Sequence, residues 1–147
     1  MIRLFGWLKV PMIGYVRPKL LHVDGERVDV MIPLRRRTKN HLNSMYFGAL
    51  SVGADVAAGY LAMRRIQSAG RPVSFVFQDV HGEFLRRPTG DVRFRCADGQ
   101  MVQRIIDQTL LDGERHAATV AVVCTVPSES EALVARFRLT LSVKARK

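Results

Sequence analysis

Between Met45 and Met63 the chain runs nineteen residues with a single charge, Asp55, near the middle of MYFGALSVGADVAAGYLAM. Phe47, Leu50, Ala54, Ala57 and Leu61 recur at helical spacing, and a second stripe of Gly48, Val52, Gly59 and Ala62 includes Asp55. A helix apolar on every side must be enclosed by protein or lipid. An unpaired ionised carboxylate in such a place is costly, so it finds a partner, keeps its proton or meets water in a cleft. Such an acid is a candidate for catalysis; the alternative is a structural carboxylate paired with an arginine. A membrane-spanning helix fits the length, but a central Asp costs about 2.5–3.5 kcal/mol on insertion scales. The rest of the chain reads as β structure, so no integral membrane span is expected.

The 147 residues are those of one compact domain, and 48% hydrophobic content supplies its core. Cys96 and Cys124 fall in strand-like runs, RFRCAD and AVVCTV, and read as small core residues of a reducing, cytoplasmic compartment. His22, His41, His81 and His116 are scattered and no Cys/His cluster has zinc spacing, so no metal site is expected. The net charge of +10 predicts attraction to polyanions: nucleic acid, anionic membrane or a phosphorylated cofactor. The one dense basic run is Arg35-Arg36-Arg37-Thr38-Lys39, and no nucleic-acid motif accompanies it. The N-terminal MIRLFGWLKVPMIGYVRPK is apolar and basic. Arg3, Lys9 and Pro11 interrupt it and no small-residue cleavage site follows, so it does not read as a signal peptide. Within residues 1–25 the expectation is a short amphipathic helix (Ile2, Phe5, Leu8) packed on the domain, with a peripheral membrane contact as the alternative.

Residues 27–33 alternate as a half-buried strand, Val28, Val30 and Ile32 on one face. Asn43 and Ser44 are the expected caps of the long helix, which runs to about Ser68 and stops at Gly70 and Pro72. A strand follows from Val73 to Val80, continuing past Gly82 to Leu85 with a bulge or bend. Then come a turn at Pro88-Thr89-Gly90-Asp91, a strand over 91–96, a helix over 100–111 ended by Gly113, and strands over 116–126 and 135–144. One-sided strands joined by short turns indicate an antiparallel sheet. One unusually apolar helix against it makes an α+β domain in which five or six strands wrap the helix.

The segment Asn40–Asp55, NHLNSMYFGALSVGAD, resembles the loop and helix of hotdog-fold thioesterases of the phenylacetyl-CoA type. Their pattern is N-x-x-G-x-x-H-G-G followed, after six residues, by an acid. Asn40 stands at the Asn, Gly48 at the last glycine and Asp55 at the acid. Asn43, Tyr46 and Phe47 replace the first glycine, the histidine and the second glycine. The resemblance implies a hotdog fold, a homodimer or dimer of dimers, and hydrolysis of an acyl thioester carried by coenzyme A or acyl carrier protein. No cofactor is implied beyond the coenzyme A of the substrate. It also implies that the acid of one subunit faces the loop of the other.

On the residues' own chemistry, Gly48 lies in the first helical turn, where unpaired amides and the positive end of the helix dipole suit an oxyanion. Asp55, two turns on and about 10 Å along the axis, would be general base or nucleophile. Asn40 would orient water or the carbonyl, or else form a loop-stabilising Asx turn. Tyr46 would donate a hydrogen bond but, with an ordinary pKa of about 10, is no base near neutrality; otherwise it is an interface or core aromatic. Arg35, Arg36 and Arg37, with Arg86 and Arg87, are candidate anchors for the phosphates of coenzyme A. The competing readings are a non-catalytic acyl-CoA or acyl-chain binding protein, a hydratase using His41, and a nucleic-acid binder.

Overall fold

A computed structural model describes residues 9–147. The helix expected at Ile2, Phe5 and Leu8 lies outside the described residues. A six-residue helix, α1 (Pro11–Val16), starts with proline in its first turn and buries Ile13, Gly14 and Val16. It leads into strand β1 (Lys19–Val23) and, through a turn, into β2 (Val28–Ile32). Strand β1 was not expected from the sequence. KLLHV has no period-2 pattern, and three of its five residues are exposed because it sits at a sheet edge.

A 3₁₀ turn (Arg36–Thr38) precedes α2 (Phe47–Ala69), which carries the apolar segment. At 23 residues it is about 35 Å long. Gly70 stops it with a left-handed φ of 67° that favours a residue without Cβ. Strand β3 (Val73–Phe84), strand β4 (Val92–Cys96), helix α3 (Gly99–Asp112), strand β5 (His116–Thr125) and strand β6 (Leu133–Ala145) complete the domain.

The six strands form one antiparallel sheet in the order β1-β2-β4-β5-β6-β3. Phe94 pairs with Val30 on one side and Cys124 on the other, which aligns three buried rows. Strand β3 is continuous and pairs with β6 from Val73↔Ala145 to Phe84↔Ala135. Its irregularity falls between Phe77 and Asp79 rather than at Gly82. Gly82 pairs in register with Phe137 and is small because that ring lies over it.

The inner rows Val28/Val30/Ile32, Val92/Phe94/Cys96 and Phe137/Leu139/Leu141/Val143 meet Leu50, Ala54, Ala57 and Leu61 of α2 in one core. Each large side chain so enclosed contributes about 1.5–3 kcal/mol. Cys96 and Cys124 are free and buried there, and burial pushes the Cys96 thiol up to about 12 and that of Cys124 higher still. Helix α3 packs on β5, β6 and α2 and buries Val102, Ile105 and Ile106.

The two stripes of α2 meet different fates. Leu50, Ala54, Ala57 and Leu61 are no more than 2% exposed, as core residues should be. Phe47, read in that stripe, is instead 59% exposed: it is the first residue of the helix, and its ring meets only the half-exposed rings of Tyr46 and Phe84. The second stripe is half-buried at Gly48, Val52, Asp55 and Gly59, and only Ala62 is enclosed. Among the described residues, nothing fully covers this face of the chain's most apolar helix.

Candidate functional site

The loop before α2 closes on itself. Lys39 and Met45 form an antiparallel bridge, and the Asn40 amide donates to the Ser44 carbonyl at 2.8 Å. The Asn40 carboxamide oxygen accepts from the amides of Leu42 (2.9 Å) and Ser44 (3.2 Å), while Nδ2 donates to Ser44 Oγ at 3.0 Å. This is the side-chain mimicry of a backbone turn, so the Asx-turn role of Asn40 is realised. Beyond the loop, the Met45 amide donates to the Pro88 carbonyl (2.9 Å) and the Tyr46 amide to the Thr38 carbonyl (2.8 Å).

The expected caps do not cap. Asn43 adopts a left-handed φ of 61° inside the loop, and Ser44 is buried with its hydroxyl turned to Asn40. Tyr46 occupies the cap position and provides no side-chain bond, and the first turn of α2 holds no acid. Among the described residues, the leading amides and the positive end of the dipole therefore have no side-chain partner, an arrangement suited to an anion or a polarised carbonyl.

Tyr46 folds its ring back over Gly48: a Cβ on Gly48 would stand 2.3 Å from Tyr46 Cε1. The aromatic series continues outward from Tyr46 to Phe47 (centroids 4.8 Å), Phe84 (6.3 Å from Phe47) and Phe137 (5.9 Å from Phe84). Tyr46, Phe47 and Phe84 are about half exposed. They line a cleft of about 560 Å³ with Asn40, His41, Leu42, Arg86 and Arg87 among its other walls. Asn40, Tyr46, Arg86 and Arg87, scattered over the sequence, thus meet at one place, with Gly48 behind the Tyr46 ring.

Arg35, Arg36 and Arg37 do not join them. They line a second cleft of about 730 Å³ with Tyr15, Arg17 and Lys19. Asp55 lines neither cleft. It lies on the half-open face of α2 and makes no hydrogen bond or ion pair among the described residues. Burial alone raises its carboxyl above the usual Asp range. The structural alternative, a carboxylate tied to an arginine, is instead realised by Asp29. That residue is 4% exposed and receives Arg95 Nε at 2.8 Å and Nη2 at 2.9 Å, with Arg27 at 3.5 Å. Burial pushes the Asp29 carboxyl up, but the Arg95 bonds and the charges of Arg95, Arg27 and Arg93 outweigh it and hold it below the ordinary value.

Phe84 is the wall residue that sequence reasoning missed. It ends a strand whose HGEFLRRP gave no sign of its neighbours. Only the Phe84↔Ala135 pairing brings it beside Phe47.

The chain has the hotdog fold, a long helix wrapped by an antiparallel sheet, here of six strands. A Pseudomonas aeruginosa protein of unknown function, described as a probable thioesterase, superposes with a TM-score of 0.83 at 18% identity, over 99% of this chain and 94% of that one. A protein of unknown function from Chlorobaculum tepidum gives 0.86 at 13% identity, over 99% and 93%. A thioesterase from Haemophilus influenzae gives 0.68 at 15% identity, over 97% and 88%. No curated protein matches the chain. The model of the family described as Domain of unknown function (DUF4442) matches residues 2–143, and the chain belongs to that family.

Proposed function

We propose that the protein is an acyl-CoA thioesterase whose site is completed between two copies of the chain. The observation that carries this reading is Asp55, a carboxylate in the middle of the most apolar helix, half-buried and without a partner among the described residues. Retaining such a group costs stability, and acids held this way are candidates for proton transfer or nucleophilic attack. That several solved structures of the same fold are described as thioesterases supports the choice of reaction.

In this reading the thioester carbonyl lies at the amides opening α2, near Gly48, and its oxygen develops negative charge against them. As general base, Asp55 takes a proton from water as the water oxygen bonds the carbonyl carbon; the C–S bond then breaks and the proton passes to the departing coenzyme A thiolate. As nucleophile, Asp55 forms an acyl anhydride while the C–S bond breaks and coenzyme A leaves as its thiol with a proton from solvent, and water then hydrolyses the anhydride to free acid and Asp55. Asn40 holds the loop and offers its remaining amide proton to water or carbonyl. Tyr46 supplies a hydroxyl donor. Arg86 and Arg87, on the same cleft, meet the phosphates of coenzyme A. Arg35–Arg37 line a different cleft and have no part in this arrangement.

Asp55 stands about 10 Å along the helix axis from Gly48, too far to serve a carbonyl bound there in the same chain. A second copy resolves this if the loop of one subunit faces the acid of the other. Two features support such pairing: the half-open face of α2, and the edge strand β3 with Val76 (54%), Val80 (58%) and Phe84 (54%) exposed. An uncovered edge of this length is a template for another strand.

The Tyr46 ring over Gly48 favours a second reading, a protein that binds acyl-CoA without turning it over, because the ring stands where a carbonyl would approach. Thiol release from a panel of short, medium, long-chain and aryl acyl-CoAs separates the two. Turnover by the wild type that is lost in Asp55→Asn, with the dimer intact, supports the thioesterase. Saturable acyl-CoA binding with no turnover of any member supports the binding protein.

A further inference from the structure

The chain contains no acid before Asp24, while Arg3, Lys9, Arg17 and Lys19 precede it. Helix α1 anchors itself through Ile13 and Val16 and turns Met12 (63% exposed) and Tyr15 (57% exposed) outward. On the adjoining edge strand β1, Leu20 and Leu21 are 36% and 50% exposed. The arginine run reaches this apolar corner directly. The Arg37 guanidinium carbon lies 5.7 Å from the centre of the Tyr15 ring, and its Nη1 donates to the Tyr15 carbonyl at 3.5 Å. Tyr15, Arg17, Lys19, Arg35, Arg36 and Arg37 line one open cleft. Among the described residues, Arg35 alone of these five cations has a carboxylate within ion-pair distance, Asp91 at 3.5 Å.

Two kinds of unpartnered group therefore meet at one corner. A phosphate ligand or a nucleic acid would use the cations and leave Met12 and the leucines facing water. A lipid headgroup layer uses both: lipid phosphates pair with the guanidinium groups, while the apolar side chains enter the acyl boundary and the tyrosine ring lies between them. We propose that this corner, formed by α1, the start of β1 and Arg35–Arg37, docks the protein on an anionic bilayer surface. The contact is peripheral, as no described helix is long and apolar enough to cross a membrane. It uses none of the groups assigned to thioester hydrolysis, so the two readings stand or fall separately.

The test is cosedimentation of the full chain with vesicles of phosphatidylcholine alone and of phosphatidylcholine mixed with phosphatidylglycerol, across a salt series. Binding is expected only with phosphatidylglycerol present, weakening as salt rises. Arg36→Gln/Arg37→Gln should weaken it about thirtyfold, the effect of two cations at such a surface. Met12→Gln/Tyr15→Gln should weaken it about tenfold or more even at high salt, which charge alone does not produce. Both pairs replace exposed side chains, and unaltered thermal melts verify their folds. The proposal is overturned by absence of binding to the mixed vesicles, or by binding that both pairs leave unchanged. It is equally overturned by binding that only the arginine pair reduces, or by retention of duplex DNA at a salt where vesicles are not bound.

Discussion

The ring of Phe94, on β4, points end-on at the backbone of Gly53, on α2: a Cβ on Gly53 would stand 2.3–2.4 Å from Phe94 Cζ, Cε1 and Cε2. Phe94 is fully buried between β2 and β5. The glycine thus sets how closely the long helix settles into the sheet, and with it where Gly48 and Asp55 are carried.

Gly53→Ala is accordingly expected to destabilise the protein. Alanine favours a helix interior by up to about 1 kcal/mol over glycine. Overpacking a well-filled core typically costs about 1–3 kcal/mol, and here the obstacle is a whole, fully buried ring. Urea unfolding should show a lowered midpoint with an unchanged slope. Phe94→Leu in the same background should recover part of the loss.

Asp55→Asn should raise the melting temperature at neutral pH by a few degrees while removing turnover. Burial raises the folded-state pKa of Asp55 above its unfolded value. Between those two values the native state holds more protons, so its stability falls as pH rises through that window and stays low above it. Asparagine escapes this loss. The difference in melting temperature between the two proteins should open as pH rises above the ordinary Asp pKa of about 4 and should close on acidification below it.

Asp29 behaves in the opposite sense. Its folded pKa is depressed, so its contribution is present above the unfolded value near 4 and is lost as pH falls through the folded one. Arg95→Leu leaves a buried carboxylate with Arg27 at 3.5 Å and the more distant charge of Arg93, and should cost about 3 kcal/mol at neutral pH. Adding Asp29→Leu removes the stranded charge and should return most of that loss. Chemical denaturation of both variants, at pH 7 and near pH 3, checks magnitude and sign together.

Gly48→Ala separates stability from function. Its Cβ meets the ring of Tyr46, which is 47% exposed and free to swing away, so the stability change should stay within about 1 kcal/mol. The displaced ring and the added methyl group both crowd the opening of α2. Acyl-CoA binding, followed by calorimetry, should fall about tenfold or more. Tyr46→Ala, which clears the same space, should not weaken it by that route.

Much of the frame was legible locally. Alternation at Val28/Val30/Ile32, at Val92/Phe94/Cys96 and along Phe137–Val143 placed strands, because side chains in a pleat must face opposite sides. The helical spacing of Leu50, Ala54, Ala57 and Leu61 identified the central helix and its buried stripe. The resemblance of Asn40–Asp55 to the loop and helix of hotdog thioesterases implied the hotdog fold. Strand β1 was not legible, because an edge strand needs no alternating pattern. Nor were the caps: Asn43 and Ser44 have the right chemistry for a helix start, but the Asn40–Ser44 bonds take them into the loop instead.

Sequence alone determined that an acid sits in the middle of an apolar helix, that the sheet is antiparallel and one-sided, and that the surface is basic. These follow from periodicity and composition, which each short segment carries in itself. Tertiary structure decided which arginines share a cleft with Asn40 and that Tyr46 lies over Gly48. It likewise decided that Phe84 walls the site and that Asp29, not Asp55, takes an arginine partner. Each of those depends on strand pairings such as β2 with β4 and β3 with β6, which bring together residues some fifty to seventy positions apart in the chain. Nothing local to either partner specifies such a meeting; the shared core into which all the elements pack does.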